Sequence, residues 1–233
     1  MGVEIRESPV SEDEFEEMKR FVFDYLYASV ESEEEGGRMR WYPWHSAEYR
    51  YNHILNVAEL ATEIAEKEGA NVDVTRVAAL FHDIAKLEAE QDVHAEAGAR
   101  VARKYLRSRT EYPESFISQV SDSVATHSYE GDLDNVPMET QCLMEADLID
   151  KVGANGTTLI LLRMGYESRT HMDAGEMVGR VLERGEDAIS RVRSETAKSL
   201  AHQRIKRVRW FKEWLEDEIA GVEPPRTTEF DLE

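Results

Sequence analysis

Apolar residues recur at three- and four-residue spacing along almost the whole chain, with no sustained two-residue alternation, and this confines the fold to helices. Glycine and proline, which would break such a pattern, number only 13 and 6 in 233 residues. Residues 11–29 read as a first helix: Ser11 caps it, Glu14 completes a capping box, and Phe15, Met18, Phe21, Val22 and Tyr25 share a face. Residues 31–44, with an acidic run, two glycines and Trp41-Tyr42-Pro43-Trp44, read as a loop. Val57, Ala58, Ala61, Ile64 and Ala65 mark one side of a helix over residues 47–67, which Gly69 stops. Asp73 is expected to cap the next, running through Val74, Val77, Ala78, Phe81 and Ile84. Further helices are expected over about 93–106, 113–125 and 137–152. Gly153 and Gly156 interrupt the pattern before Leu159–Leu162, and a long amphipathic helix is expected from about 187 to 220. No linker or repeat divides the chain. The expected fold is a single-domain, all-α bundle over residues 47–221, with the N-terminal helix and aromatic loop of residues 1–46 packed on it and a polar tail at 222–233.

Charge narrows the partners. The chain carries 48 acidic against 28 basic residues, a net charge of −20, which opposes binding to a nucleic acid duplex. Of the basic residues 20 are arginine and 8 lysine. An acid surplus fits an ordinary solvated surface or one adapted to high intracellular salt, and the shortage of lysine favours the second, halophilic reading. No apolar run approaches the roughly 18 residues of a membrane span, and the N-terminus lacks a signal-peptide pattern. The one cysteine, Cys142, has no partner for an intramolecular disulfide and reads as a buried thiol. Together these point to a cytoplasmic protein without a membrane partner.

Four of the seven histidines, His53, His82, His94 and His127, fall on the apolar side or at the end of an expected helix. Each alone reads as a core histidine with a hydrogen-bond partner, whereas His45, His171 and His202 read as peripheral. Asp147 shares the face of Leu143, and a buried carboxylate needs a cation beside it. Asp150, one turn on, is the alternative. His82 and Asp83 are adjacent near the end of an apolar helix; adjacent helical residues point about 100° apart, so both can reach a cation lying between neighbouring helices. The dipeptide alone is weak, since 7 His and 14 Asp supply about 0.4 of one by chance. No phosphate-binding glycine loop and no G-x-S-x-G elbow offers a rival centre.

The ordered set His, His-Asp, Asp resembles the HD-domain superfamily of metal-dependent phosphohydrolases from about residue 50 to 156. It is carried by Tyr51-Asn52-His53-Ile54-Leu55-Asn56-Val57, by Phe81-His82-Asp83-Ile84-Ala85-Lys86 and by Ala146-Asp147-Leu148-Ile149-Asp150. One branch, the predicted HD hydrolases, is also matched by Ala125-Thr126-His127-Ser128 and by a C-terminal helix with Thr196-Ala197-Lys198 through Arg204 to Phe211. The resemblance implies a helical bundle of HD-domain type with a long C-terminal helix, holding one or two divalent ions on His53, His82, Asp83 and Asp147. Asp147 matches the family's alanine-aspartate step, which sets it ahead of Asp150. His94 and His127 match the order of the two histidines that hold a second metal in some members; with one metal they would contact the substrate phosphate. Asp83, bridging metals or orienting water, and Lys86, facing a phosphate, are the implied catalytic residues; Lys86 equally reads as a residue answering a helix dipole. Imidazoles and carboxylates suit Mn, Fe, Ni, Zn or Mg, and such an ion lowers the pKa of a coordinated water so that hydroxide attacks phosphorus.

The implied activity is hydrolysis of a nucleotide or another small phosphate ester through a metal-activated water. A non-catalytic metal-binding regulatory or interaction module is the alternative, its long C-terminal helix offering a homodimer or partner surface. A di-iron oxygenase of the same fold is a further one. Specificity is expected in the loops of residues 31–44 and 165–185.

Overall fold

Five helices begin where a short polar side chain accepts a backbone N–H, and the computed structural model shows Ser11, Ser46, Asn71, Asp173 and Ser194 doing so. It describes residues 9–32, 46–109, 112–167 and 173–222, which form nine helices and no strand. Of the loop expected at 31–44, residues 31 and 32 close α1 instead; residues 33–44, His45, His171 and the tail beyond 222 lie outside the described residues. The Cα positions divide the chain into two compact units, Met1–Ala146 and Asp147–Glu233. The division falls inside a helix, so no linker composition marks it in the sequence.

The first unit holds α1 (Glu12–Ser32), α2 (Ala47–Glu68), α3 (Val72–Phe81), α4 (His94–Arg107), α5 (Glu114–Thr126) and most of α6 (Met138–Asp150). At α1 the capping box is formed: the Ser11 N–H donates to Glu14 Oε2 at 2.7 Å and the Glu14 N–H donates to Ser11 Oγ at 3.4 Å. Ser46 caps α2, and Gly69 closes it in the left-handed region. At α3 the cap is Asn71, whose Oδ1 accepts from the Val74 N–H at 3.2 Å, and not Asp73. Asp73 lies inside the first turn and takes Arg76 at 3.0 Å. Also contrary to expectation, α3 stops at Phe81; the chain continues through residues 82–88 in successive turns, with Ile84, Lys86 and Glu88 each donating to the carbonyl three residues back.

Helix α3 is the centre of this unit. Every side chain from Asp73 to Phe81 except Arg76 is buried, and α1, α2, α4 and α5 all pack against it. The surrounding core is Val22 and Leu26 of α1, Ile54, Val57 and Ile64 of α2, Ala102 and Leu106 of α4, and Val120 and Val124 of α5. The start of α6 is tied down by Asn71, whose N–H donates to Glu139 Oε1 at 3.0 Å, and by the buried Ser123–Thr140 hydroxyl pair at 2.8 Å. No helix among the described residues is long and apolar enough to cross a membrane.

The second unit holds the end of α6, α7 (Ala154–Glu167), α8 (Ala174–Ser190) and α9 (Glu195–Ile219) around a core of Val152, Val178, Val181, Ala188, Ile205 and Val208. Of the two expected glycine breaks only Gly153 is one; Gly156 lies in the first turn of α7. The long helix expected over about 187–220 is α9, which starts later than expected because residues 187–190 close α8. Ser194 adopts an extended conformation and its hydroxyl accepts from the Ala197 N–H at 3.2 Å, starting α9 afresh. Most of the expected specificity loop at 165–185 is likewise helical, since α8 starts at an Asp173 cap.

Candidate metal centre

The end of α3 delivers His82 and Asp83 into a buried space bordered by α2, α4 and α5. Gly98 lets α4 come close enough: a Cβ there would lie 3.3 Å and 3.4 Å from the carbonyl oxygens of Phe81 and His82. That approach brings His94, at the first position of α4, beside Asp83. His127 arrives from the C-cap of α5, and Arg50 and His53 from adjacent turns of α2.

Asp83 is the hub. Its Oδ1 lies 3.3 Å from His94 Nε2, and 3.8 Å from both His127 Nε2 and Lys86 Nζ. Its Oδ2 lies 3.7 Å from the Nε2 atoms of both His53 and His82, and accepts from Arg50 Nη1 at 2.5 Å. All four histidines and Asp83 are buried, His82 completely. Burial by itself raises the carboxyl of Asp83; the Arg50 guanidinium beside it is the chief opposing cause, and the group is held well below the usual carboxylate range. The centre therefore contains a full negative charge.

The imidazoles are oriented alike. His82, His94 and His127 each direct Nδ1 at a backbone carbonyl three residues back, of Ala79 at 2.7 Å, Gln91 at 2.6 Å and Val124 at 2.7 Å. A carbonyl only accepts, so Nδ1 carries the proton and the neutral ring aims its Nε2 lone pair into the centre. The lone pairs of His94 and His127 meet at 3.3 Å, an arrangement that calls for a cation against them. Lys86 brings one such charge, its Nζ 3.1 Å from His94 Nε2. Asp83, His94 and His127 also offer ligand atoms all within 4.8 Å of one another. Nitrogen lone pairs converging on an ionised carboxylate in a buried pocket are a donor set that fits a divalent ion.

The structure thus brings together six residues singled out from sequence, His53, His82, Asp83, Lys86, His94 and His127. Asp147 sits in the last turn of α6, as the first residue of the second unit. It is less buried than its register with Leu143 suggested: its side chain is 16% exposed and its Oδ2 pairs with Lys151 at 2.6 Å. Asp150 is the more buried carboxylate, engaged by Asn155 at 3.4 Å and Arg204 at 3.8 Å. Sequence reasoning missed Arg50. The signal was available, since a cation at position 50 shares the stripe of His53, Ile54 and Val57, where an apolar residue is the norm. His202 is exposed on α9.

Residues 50–154 match the family model described as HD domain. The chain is 34% identical to Ribonuclease Y of Chloroflexus aurantiacus over 113 residues, 47% of this chain and 20% of that protein. It is 35% identical over 63 residues to the tRNA (cytidine(56)-2'-O)-methyltransferase of Thermoplasma volcanium, covering 27% of this chain and 19% of that one. The chain thus spans about a fifth of the length of these curated relatives. Among solved structures, Bacillus subtilis YpgQ in complex with ADP aligns with a TM-score of 0.63 at 19% identity, over 89% of this chain and 96% of the other. A predicted HD superfamily hydrolase from an uncultured Thermotogales bacterium aligns with a TM-score of 0.53 at 24% identity, over 87% and 91%. These two likenesses establish a shared fold.

Proposed function

Starting from the fact that the chain carries an HD domain over residues 50–154, we propose that it is a metal-dependent phosphohydrolase acting on a nucleotide or another small phosphate ester. In this reading His53, His82, Asp83 and Asp147 hold the metal, and His94 and His127 take a second ion or the substrate phosphate. The observation that carries it is the buried Asp83 carboxylate ringed by four Nε2 atoms, three of whose rings are fixed in one tautomer by backbone carbonyls. Bound there, a divalent ion supplies Lewis acidity and a water of lowered pKa.

The chain's own groups do the rest. Arg50 keeps Asp83 ionised and turns Oδ2 toward α2, leaving Oδ1 to face Lys86, His94 and His127. The Lys86 ammonium, one turn past His82, is placed to meet a phosphoryl oxygen and to balance charge gathering on it. Burial of Asp83, Arg50 and the four histidines lowers the local dielectric and strengthens each of these interactions. A nucleotide is favoured among phosphate esters because YpgQ, of the same fold, is seen with ADP.

The test is phosphate release in molar salt from nucleoside mono-, di- and triphosphates and a generic phosphodiester, with Mn²⁺ or another divalent ion. Wild type is expected to hydrolyse at least one, and the His82→Ala/Asp83→Ala variant none. A metal-loaded wild type that releases nothing from any of them refutes the proposal. Metal content of the purified chain, one or two ions, separates a phosphate role for His94 and His127 from a second metal position.

A further inference from the structure

The C-terminal segment from Thr196 through Arg204 to Phe211 has no part in the chemistry above, yet Arg204 reaches the turn that carries Asp147. The last carbonyls of a helix have no intrahelical donor. At the end of α6 the Ile149 carbonyl accepts from the Val152 N–H at 2.9 Å and from Arg204 Nη1 at 3.1 Å. The same guanidinium lies 3.8 Å from Asp150 Oδ1. One nitrogen, Arg204 Nη1, therefore meets the backbone of Ile149 and lies near the side chain of Asp150, two consecutive residues of that turn.

The turn itself is built for this approach. Gly153 has φ of 97°, and a Cβ on it would lie 2.9 Å from the Cβ of Arg204, so α9 rests on the turn's backbone. Val152 and Ile205, the neighbours of Gly153 and Arg204, are buried in one apolar cluster. Asp147 stands two residues before Ile149. If the last turn of α6 frayed, its carboxylate would lose its fixed direction.

We infer that Arg204 is a positioning residue for Asp147, holding the last turn of α6 so that this carboxylate keeps the direction metal binding requires. The inference rests on the proposed metal role of Asp147. Removing a residue that orients a metal ligand typically weakens affinity by about 10- to 100-fold.

The experiment is titration of Mn²⁺ into the metal-free full chain in molar salt, read as a dissociation constant, with thermal unfolding in EDTA measured in parallel. Arg204→Ala is expected to weaken binding about 10-fold or more. Arg204→Lys, which keeps a donor for the Ile149 carbonyl, should recover part of it. Val208→Ala, a cavity in the same α9 packing, should lower the melting temperature without changing affinity. Wild-type affinity in Arg204→Ala, or an equal loss in Val208→Ala, overturns the inference. Asp147→Ala distinguishes the two levels. If it weakens binding while Arg204→Ala does not, only this inference fails; if it binds as wild type, the metal role of Asp147 fails with it.

Discussion

Replacing Arg50 by alanine tests the electrostatics of the centre without touching any proposed metal ligand. Arg50 and Asp83 form an ion pair with side chains 9% and 6% exposed. Deleting one partner of a buried pair strands the other charge and costs about 3–5 kcal/mol. Asp83 keeps the Lys86 ammonium at 3.8 Å, so the low end, about 3 kcal/mol, is expected. At about 2–4 °C per kcal/mol for a chain of this size, the melting temperature should drop by roughly 6–12 °C. The assay is circular dichroism at 222 nm during heating, in molar salt with EDTA, for wild type, Arg50→Ala, Asp83→Asn and the double variant. The double variant should cost less than the two single costs summed, because the amide introduced by Asp83→Asn leaves no charge to strand. A coupling of at least about 1.5 kcal/mol is expected. An Arg50→Ala protein melting within about 1 °C of wild type, or a coupling below about 0.5 kcal/mol, refutes the buried-pair reasoning.

Saturating Mn²⁺ at about one hundred times its dissociation constant should stabilise the chain by about 2.7 kcal/mol over the EDTA-treated form; a melting temperature indifferent to both additions counts against a metal centre. Gly98→Val puts branched carbon against the Phe81 and His82 carbonyls and should cost about 1–3 kcal/mol, seen as a lower denaturation midpoint; an unchanged midpoint shows that α4 has room to move. Burial, and then Glu145, Glu139 and Glu68, push the Cys142 thiol up to about 12, so at pH 8 roughly one in ten thousand is thiolate. A disulfide reagent should therefore label it within minutes only after denaturation; rapid labelling of the folded chain contradicts the burial.

The termini of the helices were legible wherever the signal was local. Ser11 with Glu14 and the stop at Gly69 involve contacts within one turn, and both are formed as read. Reading failed where two local solutions compete. Asn71 and Asp73 are both competent caps, and Arg76 draws Asp73 away from that role. The chain from 187 to 220 keeps a helical pattern through Ser194, whose capping geometry divides α8 from α9. Residues 33–44, with their aromatic cluster, lie outside the described residues.

The sequence by itself determined that the chain is helical and that His53, His82, His94 and His127 lie on faces turned inward, because periodicity and caps act over three or four residues. It also carried the HD pair and the order of the other candidates, which composition could not. Only the tertiary structure decided that Arg50 meets Asp83 across 33 residues, that backbone carbonyls of Ala79, Gln91 and Val124 set three imidazoles in one tautomer, and that Asp150 is more buried than Asp147. A pattern of spacings tells which face of a helix is buried, but the neighbour it meets there depends on how closely two helices approach, and at α3 and α4 that distance is set by the missing side chain of Gly98.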